Sequence, residues 1–149
     1  MATDPQILMK KNIFIIEDDI VLAGAMQAQF NLKNFTAEIN LGNEEDIEAL
    51  INEVKKVDAD IVILDLILPK LDGFEIIKAI RSDDEISDIY IFIFTDVSDE
   101  DSKARGLSVG ANQYFIKEDF SPEEFAEKVK KIMDNREAMD KSEGNTYQF

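Results

Sequence analysis

The chain has 149 residues, 45% of them apolar, and carries 16 Lys and Arg against 32 Asp and Glu, a net charge of −16. It contains no Cys and no His, which excludes disulfides, thiolate nucleophiles, cysteine zinc sites and histidine bases. Nucleic acid and anionic membrane surfaces are poor partners for so acidic a chain, whereas a cationic partner or a bound cation suits it.

Strand-like and helix-like segments alternate from about residue 11 to residue 136. Short apolar runs predict strands at 13–16, 61–64, 89–94 and 113–116, and an alternating apolar and polar segment predicts a strand at 35–41. Apolar residues that recur every three or four positions predict helices at 20–32, 47–57 and 74–82, and a last helix that begins at Pro122 after a Ser121 cap. Residues 98–109 are predicted to be helical from their position between two strands. This alternation predicts an α/β fold, a doubly wound five-stranded parallel sheet with helices on both faces.

The two ends of the chain differ from this repeat. We expect residues 1–10 to form an N-terminal extension, residues 11–136 to form one domain, and residues 137–149 to form a polar tail that is either a frayed helical extension or disordered. No apolar stretch approaches the length of a membrane span, and no secretory apolar region precedes the first strand. Membrane insertion and secretion are therefore not indicated, and a cytoplasmic location is expected.

The fourth predicted helix is the poorest of the five. Ser102, Gly106 and Ser108 lower its helix propensity, and Gly110 suits the left-handed position that ends a helix. We therefore expect residues 98–109 to be among the least stable elements, as segments that switch conformation tend to be.

Polar side chains follow the ends of four predicted strands. They are Glu17 and Asp18 after the first strand, Asp65 after the third, Thr95 after the fourth and Lys117 after the fifth. In a doubly wound sheet these ends meet at one edge, around the point where the strand order reverses. Three carboxylates about 5 Å apart would repel by roughly 3 kcal/mol per pair, so one lysine offsets only part of their charge. A hard cation such as Mg²⁺, which prefers oxygen ligands, would offset more.

Together these features resemble the receiver domain of two-component response regulators, and the resemblance covers nearly all of the chain. The matching features are an acidic pair, an Asp-x-x-x-Pro-x-x-x-Gly run, a threonine, a Gly-Ala pair, an aromatic residue and a lysine. They are Glu17, Asp18, Asp65, Pro69, Gly73, Thr95, Gly110, Ala111, Tyr114 and Lys117. The resemblance implies a flavodoxin-like (βα)5 fold with strand order 2-1-3-4-5.

The resemblance also implies a phosphoacceptor and not an enzyme in the ordinary sense, with at most self-catalysed phosphorylation and dephosphorylation. Asp65 would accept a phosphoryl group from a partner histidine kinase or histidine phosphotransfer protein. The cofactor would be Mg²⁺, bound by Asp18, Asp65 and the backbone carbonyl of Ile67, with Glu17 contributing through water.

Two more roles follow from the resemblance. Thr95 and Lys117 would hold the oxygens of the phosphoryl group, which agrees with the need for positive charge and donors around a transferring phosphoryl. Phosphorylation would draw Thr95 inward and open space for Tyr114 to turn inward, changing the surface of the fourth helix, fifth strand and fifth helix. The alternative is that Tyr114 is a rim residue that is merely partly packed.

Four residues depart from the pattern common in the family. Glu118 replaces the proline that many receivers carry after the lysine, and a cis bond before a non-proline residue costs about 3 to 4 kcal/mol, which leaves the geometry of that peptide open. Ile67 and Val97 are apolar at positions that influence how water reaches an acyl phosphate. Asp96 either opposes the incoming phosphoryl oxygens or caps a helix that begins near Ser98.

Three classes of function are compatible with these residues. The first is a stand-alone phosphorylatable receiver that signals to a downstream protein target by contact. The second is a degenerate receiver that acts as a phosphorylation-independent binding module. The third, a metal-dependent phosphohydrolase with Asp65 as nucleophile, is disfavoured because the haloacid dehalogenase-like pattern has a second acid where Ile67 stands.

The absence of His means that the chain cannot supply its own phosphohistidine. We expect a helical, histidine-bearing partner to dock near residues 20–26, beside the acidic pair, with Leu22 and Met26 as candidate contacts or, alternatively, as core residues. No direct contact with nucleic acid and no insertion into membranes are expected.

Overall fold

The computed structural model describes residues 10–146, and side chains as far as residue 141. Strands and helices alternate along these residues as the sequence predicts. In chain order they are β1 (Lys11–Ile16), α1 (Ile20–Leu32), β2 (Phe35–Asn40), α2 (Ile47–Lys56), β3 (Ile61–Leu64), α3 (Gly73–Ser82), β4 (Tyr90–Thr95), α4 (Glu100–Val109), β5 (Gln113–Ile116), a short 3-10 helix (Lys117–Asp119) and α5 (Pro122–Thr146).

The strands form one parallel sheet in the order β2-β1-β3-β4-β5. This confirms the predicted α/β class, the doubly wound topology and the strand order. The chain leaves β1 toward β2 on one side and later returns to β3 on the other side, so the strand order reverses between β1 and β3. Ile16 pairs with Leu64 in that register, which brings the residues that follow them, Glu17 and Asp65, side by side.

Two hydrophobic clusters cover the two faces of the sheet because the side chains of each strand alternate between them. Phe92 and Phe94 face α1 and α5, where the ring of Phe94 stacks on Phe125 with centroids 3.9 Å apart. Ile91 and Ile93, from the same strand, face α2, α3 and α4. Every residue of β3 and β4 is buried, which explains why these strands are continuous apolar runs in the sequence.

Two element boundaries differ from the predictions by two residues, and several others differ by one. β1 begins at Lys11, two residues before the apolar run, because Lys11 and Asn12 pair with β2 even though neither is apolar. α4 begins at Glu100, and its N-cap is Asp99, whose carboxylate accepts a hydrogen bond from the Ser102 N–H over 2.9 Å. The suggestion that Asp96 caps this helix is therefore wrong.

α5 begins as the sequence predicts and extends further than the predicted domain limit. Ser121 and Glu124 form the predicted capping box, with the Glu124 N–H donating to Ser121 Oγ over 3.1 Å and the Ser121 N–H to Glu124 Oε1 over 2.9 Å. The helix passes residue 136 without a break and reaches Thr146. The guanidinium of Arg136 lies 4.7 Å from the Tyr90 ring centroid, which ties this extension to β4. Residues 1–9 of the expected N-terminal extension at 1–10, and the final residues 147–149, lie outside the described residues.

Membrane spanning was not expected, and among the described residues no helix is long and apolar enough to cross a bilayer.

Candidate functional site

The candidate site lies at the carboxyl edge of the sheet, where β1, β3, β4 and β5 end. The Asp65 N–H donates to the Ile16 carbonyl over 3.1 Å, which continues the parallel pairing by one residue beyond β3. The Glu17 N–H donates to the Asn40 carbonyl over 3.1 Å and extends β1 in the same way. The backbone of both acids is therefore held by the sheet, while their side chains occupy the space beyond its edge.

The loop after Asp65 turns back sharply into α3. Asp72 caps that helix by accepting the Phe74 N–H over 2.8 Å, and the Gly73 N–H returns to the Leu66 carbonyl over 3.3 Å. A Cβ on Gly73 would lie 2.6 Å from the Leu66 Cα, so only glycine permits this close approach of backbone to backbone. The Asp-Gly pair thus sets how near α3 begins to the acidic edge.

The Asp65 carboxylate has donors on both oxygens and is almost fully buried. Its Oδ1 accepts the hydroxyl of Thr95 over 2.8 Å and the N–H of Ile67 over 3.2 Å. Its Oδ2 accepts the ammonium of Lys117 over 2.7 Å. Residues from β3, β4 and β5 therefore converge on one side chain.

Lys117 is shared between two carboxylates. Its Nζ lies 2.7 Å from Asp65 Oδ2 and 2.8 Å from Glu17 Oε2. Burial opposes the charged form of Lys117, but the hydrogen bonds and charges of Asp65 and Glu17 outweigh it and raise the lysine pKa above its ordinary value. The lysine therefore stays protonated throughout the physiological pH range.

Glu17 is the acid of the site whose pKa is raised by burial. Its side chain is only 2% exposed. Burial raises the pKa of Glu17 to about 7, although the hydrogen bonds from Lys117 and from the Asp19 N–H work in the opposite direction. Glu17 therefore exchanges its proton near neutral pH.

Oxygens of Glu17, Asp18 and Asp65 lie within 4.8 Å of one another, with Asp18 exposed to solvent. Lys117 contacts two of these acids and leaves Asp18 without an ion pair to it. An oxygen-only donor set that is open to solvent on one side fits a hard divalent cation, which keeps several waters. The set does not fit a thiolate- or imidazole-seeking metal, because the chain has no Cys or His.

Tyr114 lies inside the protein, and its hydroxyl donates to the Val97 carbonyl over 2.7 Å. Its ring is 8% exposed, so the expectation of a rim position does not describe this structure. The Val97 N–H in turn donates a long 3.4 Å hydrogen bond to Thr95 Oγ1. Burial raises the pKa of the Tyr114 hydroxyl, and the charges of Asp99 and Asp65 add to the effect.

The sequence profile described as the response regulator receiver domain matches residues 13–130. The chain belongs to this family. The phosphate regulon transcriptional regulatory protein PhoB of Pseudomonas aeruginosa is 28% identical over 126 residues, which cover 85% of this chain and 53% of that protein. The probable transcriptional regulator ycf27 of Cyanidium caldarium is 30% identical over 122 residues, which cover 82% of this chain and 46% of that protein. The chain thus spans about half the length of these relatives.

Solved structures agree with the family assignment. The signal receiver domain of a DNA-binding response regulator from Colwellia psychrerythraea superposes with a TM-score of 0.70 at 26% identity, covering 84% of this chain and 99% of that one. A CheY-like receiver domain from Methanospirillum hungatei gives a TM-score of 0.73 at 18% identity, covering 87% and 98%. The chain is a receiver domain of two-component signalling, with the fold that its sequence pattern predicts.

Two of the residues that depart from the family pattern lie near the mouth of the receiver site. Ile67 is 65% exposed, beside the acidic residues, and Asp96 is also exposed. Val97 is half-buried and contributes both its N–H and its carbonyl to the hydrogen bonds around Thr95. None of the described peptide bonds is cis. The bond between Lys117 and Glu118 is therefore trans, and it lies at the start of the short 3-10 helix.

The predicted docking region, residues 20–26 of α1, contains both core residues and exposed apolar residues. Met26 is fully buried and Leu22 packs against the core, which agrees with the alternative that these two are core residues. Ile20 and Val21, 66% and 78% exposed, are the apolar side chains available at that end of the helix. They fall off the periodic stripe of α1, which is the signal that distinguishes surface residues from core residues.

Asp19 was not assigned a role from the sequence, yet it holds the acidic pair and α1 together. Its carboxylate accepts the N–H groups of Val21 and Leu22 over 3.0 and 3.1 Å, which caps the helix. Its own N–H donates to Glu17 Oε1 over 3.1 Å. An Asp directly before a predicted helix was the available signal for this cap.

Proposed function

We propose that Asp65 of this receiver domain accepts a phosphoryl group from a partner histidine kinase or histidine phosphotransfer protein, and that the modified domain signals by protein contact. The observation that carries the proposal is the convergence of Thr95 and Lys117 on the Asp65 carboxylate, next to Glu17 and Asp18. A buried nucleophile with a hydroxyl donor and a cation in contact is the arrangement that phosphoryl transfer requires.

In the proposed reaction an Asp65 oxygen forms a bond to phosphorus while the bond from phosphorus to the donor nitrogen breaks. The electron pair of the broken bond remains on the donor imidazole, which leaves as a neutral ring because its other nitrogen carries a proton. Lys117 and Thr95, which contact Asp65 in the free carboxylate, would turn to the oxygens of the bound phosphoryl group. They are already within hydrogen-bond distance of the nucleophile, so little reorganisation is needed.

Asp18 and Asp65 would hold Mg²⁺ together with the Ile67 carbonyl, and Glu17 would contribute through water. The bound ion would supply positive charge both to the acidic cluster and to the oxygens of the transferring group. In this proposal the pairing of Glu17 with Lys117 keeps the lysine directed at Asp65. The half-buried backbone after Asp65, held by the Ile67 N–H contact, keeps the loop close to the acids.

The test of phosphorylation is intact mass spectrometry after incubation with a small acyl phosphate and Mg²⁺. We expect the mass of one phosphoryl group to be added to the native chain and to Asp84→Asn, an exposed control that makes the same charge change outside the site. Asp65→Asn should add none. Equal labelling of Asp65→Asn would show that another residue is the acceptor, and no labelling of the native chain would favour a phosphorylation-independent binding module.

The metal assignment has a separate test in thermal unfolding. A ligand that binds only the folded state raises its stability by mass action, so Mg²⁺ should raise the melting temperature of the native chain. Asp18→Asn should lose most of this increase, whereas Asp88→Asn, an exposed change elsewhere, should keep it. An unchanged Mg²⁺ effect in Asp18→Asn would remove that residue from the ligand set.

The docking site of the phosphodonor would include Ile20, Val21 and Ile67, three exposed apolar residues beside the acidic mouth. Val21→Ser should slow phosphorylation by a protein donor but not by a small acyl phosphate, because only the protein needs the surface. Leu32→Ser, which changes an equally exposed residue at the far end of α1, is the matched control.

The related proteins PhoB and ycf27 are named transcriptional regulators, and about half of each lies outside the match. We propose that residues 10–146 themselves contact protein rather than DNA, since the chain carries a net charge of −16. Salt-sensitive DNA binding near micromolar affinity by this chain would contradict the proposal.

A further inference from the structure

Gly106 occupies an unusual place in α4. It is the buried residue of that helix, and a Cβ added there would lie 2.7 Å from Ile93 Cδ1. The same Cβ would lie 3.2 and 3.3 Å from two atoms of the Tyr114 ring, Cδ2 and Cε2. Glycine weakens a helix relative to alanine, so its presence here has a packing reason: the missing methyl group leaves space for the ring.

The Tyr114 ring that fills this space is linked to Asp65 by hydrogen bonds. The Tyr114 hydroxyl donates to the Val97 carbonyl over 2.7 Å, and the Val97 N–H donates to Thr95 Oγ1 over 3.4 Å. The Thr95 hydroxyl then donates to Asp65 Oδ1 over 2.8 Å. The position of the Tyr114 ring therefore affects the loop that contains Val97. Through this loop it also affects the Thr95 hydroxyl, which donates to Asp65.

The surroundings of Gly106 determine which group would yield to a larger side chain. The nearest atom, Ile93 Cδ1, belongs to a fully buried side chain, and a close-packed interior leaves it little space to rotate away. The C-terminal end of α4 is held by Arg81, whose Nε donates to the Gly110 carbonyl over 2.9 Å. Tyr114 lies on β5, an edge strand, so its ring can turn toward solvent. Of these three groups, the Tyr114 ring can move most easily away from a Cβ added at position 106.

We propose that Gly106 is a positioning residue that keeps the inward site of the Tyr114 ring open, and thereby holds Val97 and Thr95 in place at Asp65. The effect on phosphorylation rests on the proposed function of Asp65, whereas the effect on ring position does not. Gly106 does not contact the acidic site. The absence of a side chain at this position of α4 nevertheless helps to determine the conformation of that site.

The first experiment compares Gly106→Ala with Gly24→Ala, using fluorine NMR of protein labelled with fluorotyrosine. Gly24 is the matched control because it also lies inside a helix, and a Cβ added there meets nothing within 4 Å. The Tyr114 resonance is assigned with Tyr114→Phe. We expect Gly106→Ala to move that resonance and to increase its solvent isotope shift, and Gly24→Ala to leave both unchanged. A Tyr114 resonance that stays buried and unshifted in Gly106→Ala would overturn the proposal.

The second experiment follows phosphorylation by a small acyl phosphate in two backgrounds. Gly106→Ala should slow labelling of the native chain roughly threefold to tenfold, the effect of losing one net hydrogen bond. In Tyr114→Phe, which has already lost the bond to Val97, Gly106→Ala should change the rate less than about twofold, since neighbouring groups in one network are not additive. Equal slowing in both backgrounds would overturn the proposal.

The two experiments separate this inference from the proposed function. If the native chain takes up no phosphoryl group, the proposed function fails, while the fluorine resonance still decides where Gly106→Ala places the ring. If the native chain is labelled and the Tyr114 resonance is unmoved in Gly106→Ala, the proposed function stands and Gly106 has no positioning role.

Discussion

The two ends of the sheet each hold a partly buried cation, and they balance its charge in opposite ways. At the carboxyl edge, Lys117 is shared by Glu17 and Asp65, with Asp18 close by. At the amino edge, where β4 and β5 begin, Arg81 is held by neutral acceptors. These are the carbonyls of Gly110, Ser87 and Ile89 and the side-chain oxygen of Asn112, at 2.6 to 2.9 Å.

The difference shows which end can respond to its surroundings. Burial lowers the pKa of Arg81 and the charge of Asp88 partly offsets this, but a guanidinium remains protonated in proteins. Its stabilising contribution comes from hydrogen bonds to neutral groups, which neither pH nor Mg²⁺ changes. The carboxylates around Lys117 exceed it in charge, so protons and cations both act there. The amino edge is a fixed support, and the carboxyl edge is the responsive one.

The largest effect on the free energy of unfolding is expected from removing Arg81 at the amino edge. Arg81→Ala should lower the free energy of unfolding by about 3 to 4 kcal/mol, because several acceptors lose their donors together. The loss should be the same with and without Mg²⁺ in urea unfolding. Arg105→Ala is the matched control, since that guanidinium is exposed and lies 4.0 Å from the Phe74 ring, a contact worth about 0.5 to 1 kcal/mol. Equal losses in the two variants would show that Arg81 is not a structural centre.

The pH dependence of stability should come from the responsive end. Glu17 titrates near 4.5 when unfolded and near 7 in the folded protein, so the folded state binds the extra proton between these values. This contribution is fully present below about pH 4.5 and is lost as the pH rises through about 7. The free energy of unfolding in Mg²⁺-free buffer should therefore fall by up to about 3 kcal/mol between about pH 5 and pH 7.5.

Glu17→Gln should flatten that profile, because glutamine has no proton to release, while Glu118→Gln, an exposed control, should retain it. Above about pH 5 the opposite contribution of acids with lowered pKa values, such as Asp83 and Asp99, is already complete. A native profile without any fall over this range would contradict the burial of a protonated Glu17.

Removal of Lys117, the cation at the carboxyl edge, can be compared directly with removal of Arg81 at the amino edge. Lys117→Met should lower the free energy of unfolding by about 2 kcal/mol in the absence of Mg²⁺, less than for other buried ion pairs because Glu17 can take up a proton. Mg²⁺ should recover part of the loss in Lys117→Met but none of it in Arg81→Ala. Lys78→Met removes an ion pair that is half-exposed and should cost under about 1 kcal/mol. A Lys117→Met variant that Mg²⁺ does not stabilise would mean that the acids do not act as a cation site.

The smallest expected effects concern two aspartates that precede α4. Asp99→Ala should lower the free energy of unfolding by about 1 kcal/mol, because it removes the cap seen on Ser102. Asp96→Ala should leave stability nearly unchanged. If the Asp96 charge opposes the phosphodonor, its removal should speed phosphorylation less than about tenfold, since solvent screens an exposed carboxylate. Unfolding and labelling rates of the two variants give the answer, and a slower Asp96→Ala would contradict the charge hypothesis.

Most of the fold and the position of the acidic edge could be predicted because both follow from local patterns. An apolar run such as 61–64 is a strand buried on both faces, and the residue that follows it must lie at an edge of the sheet. Parallel strands end at the same edge, so Asp65, Thr95 and Lys117 could be brought together without knowing any distance. The limits of β1 and α4 were less predictable, because pairing partners and competing caps decide them.

By itself, the sequence determined the α/β class, the parallel sheet and the set of side chains at the carboxyl edge, because periodicity and strand ends are properties of short segments, while the strand order was implied only by the family resemblance. The tertiary structure alone decided the inward position of Tyr114, the role of Gly106 in leaving space for that ring, and the four neutral acceptors of Arg81. Each of these depends on contacts between segments distant in the chain. A helix-weakening glycine and a packing glycine have the same local sequence signature, and only the atoms that face the missing methyl group distinguish them.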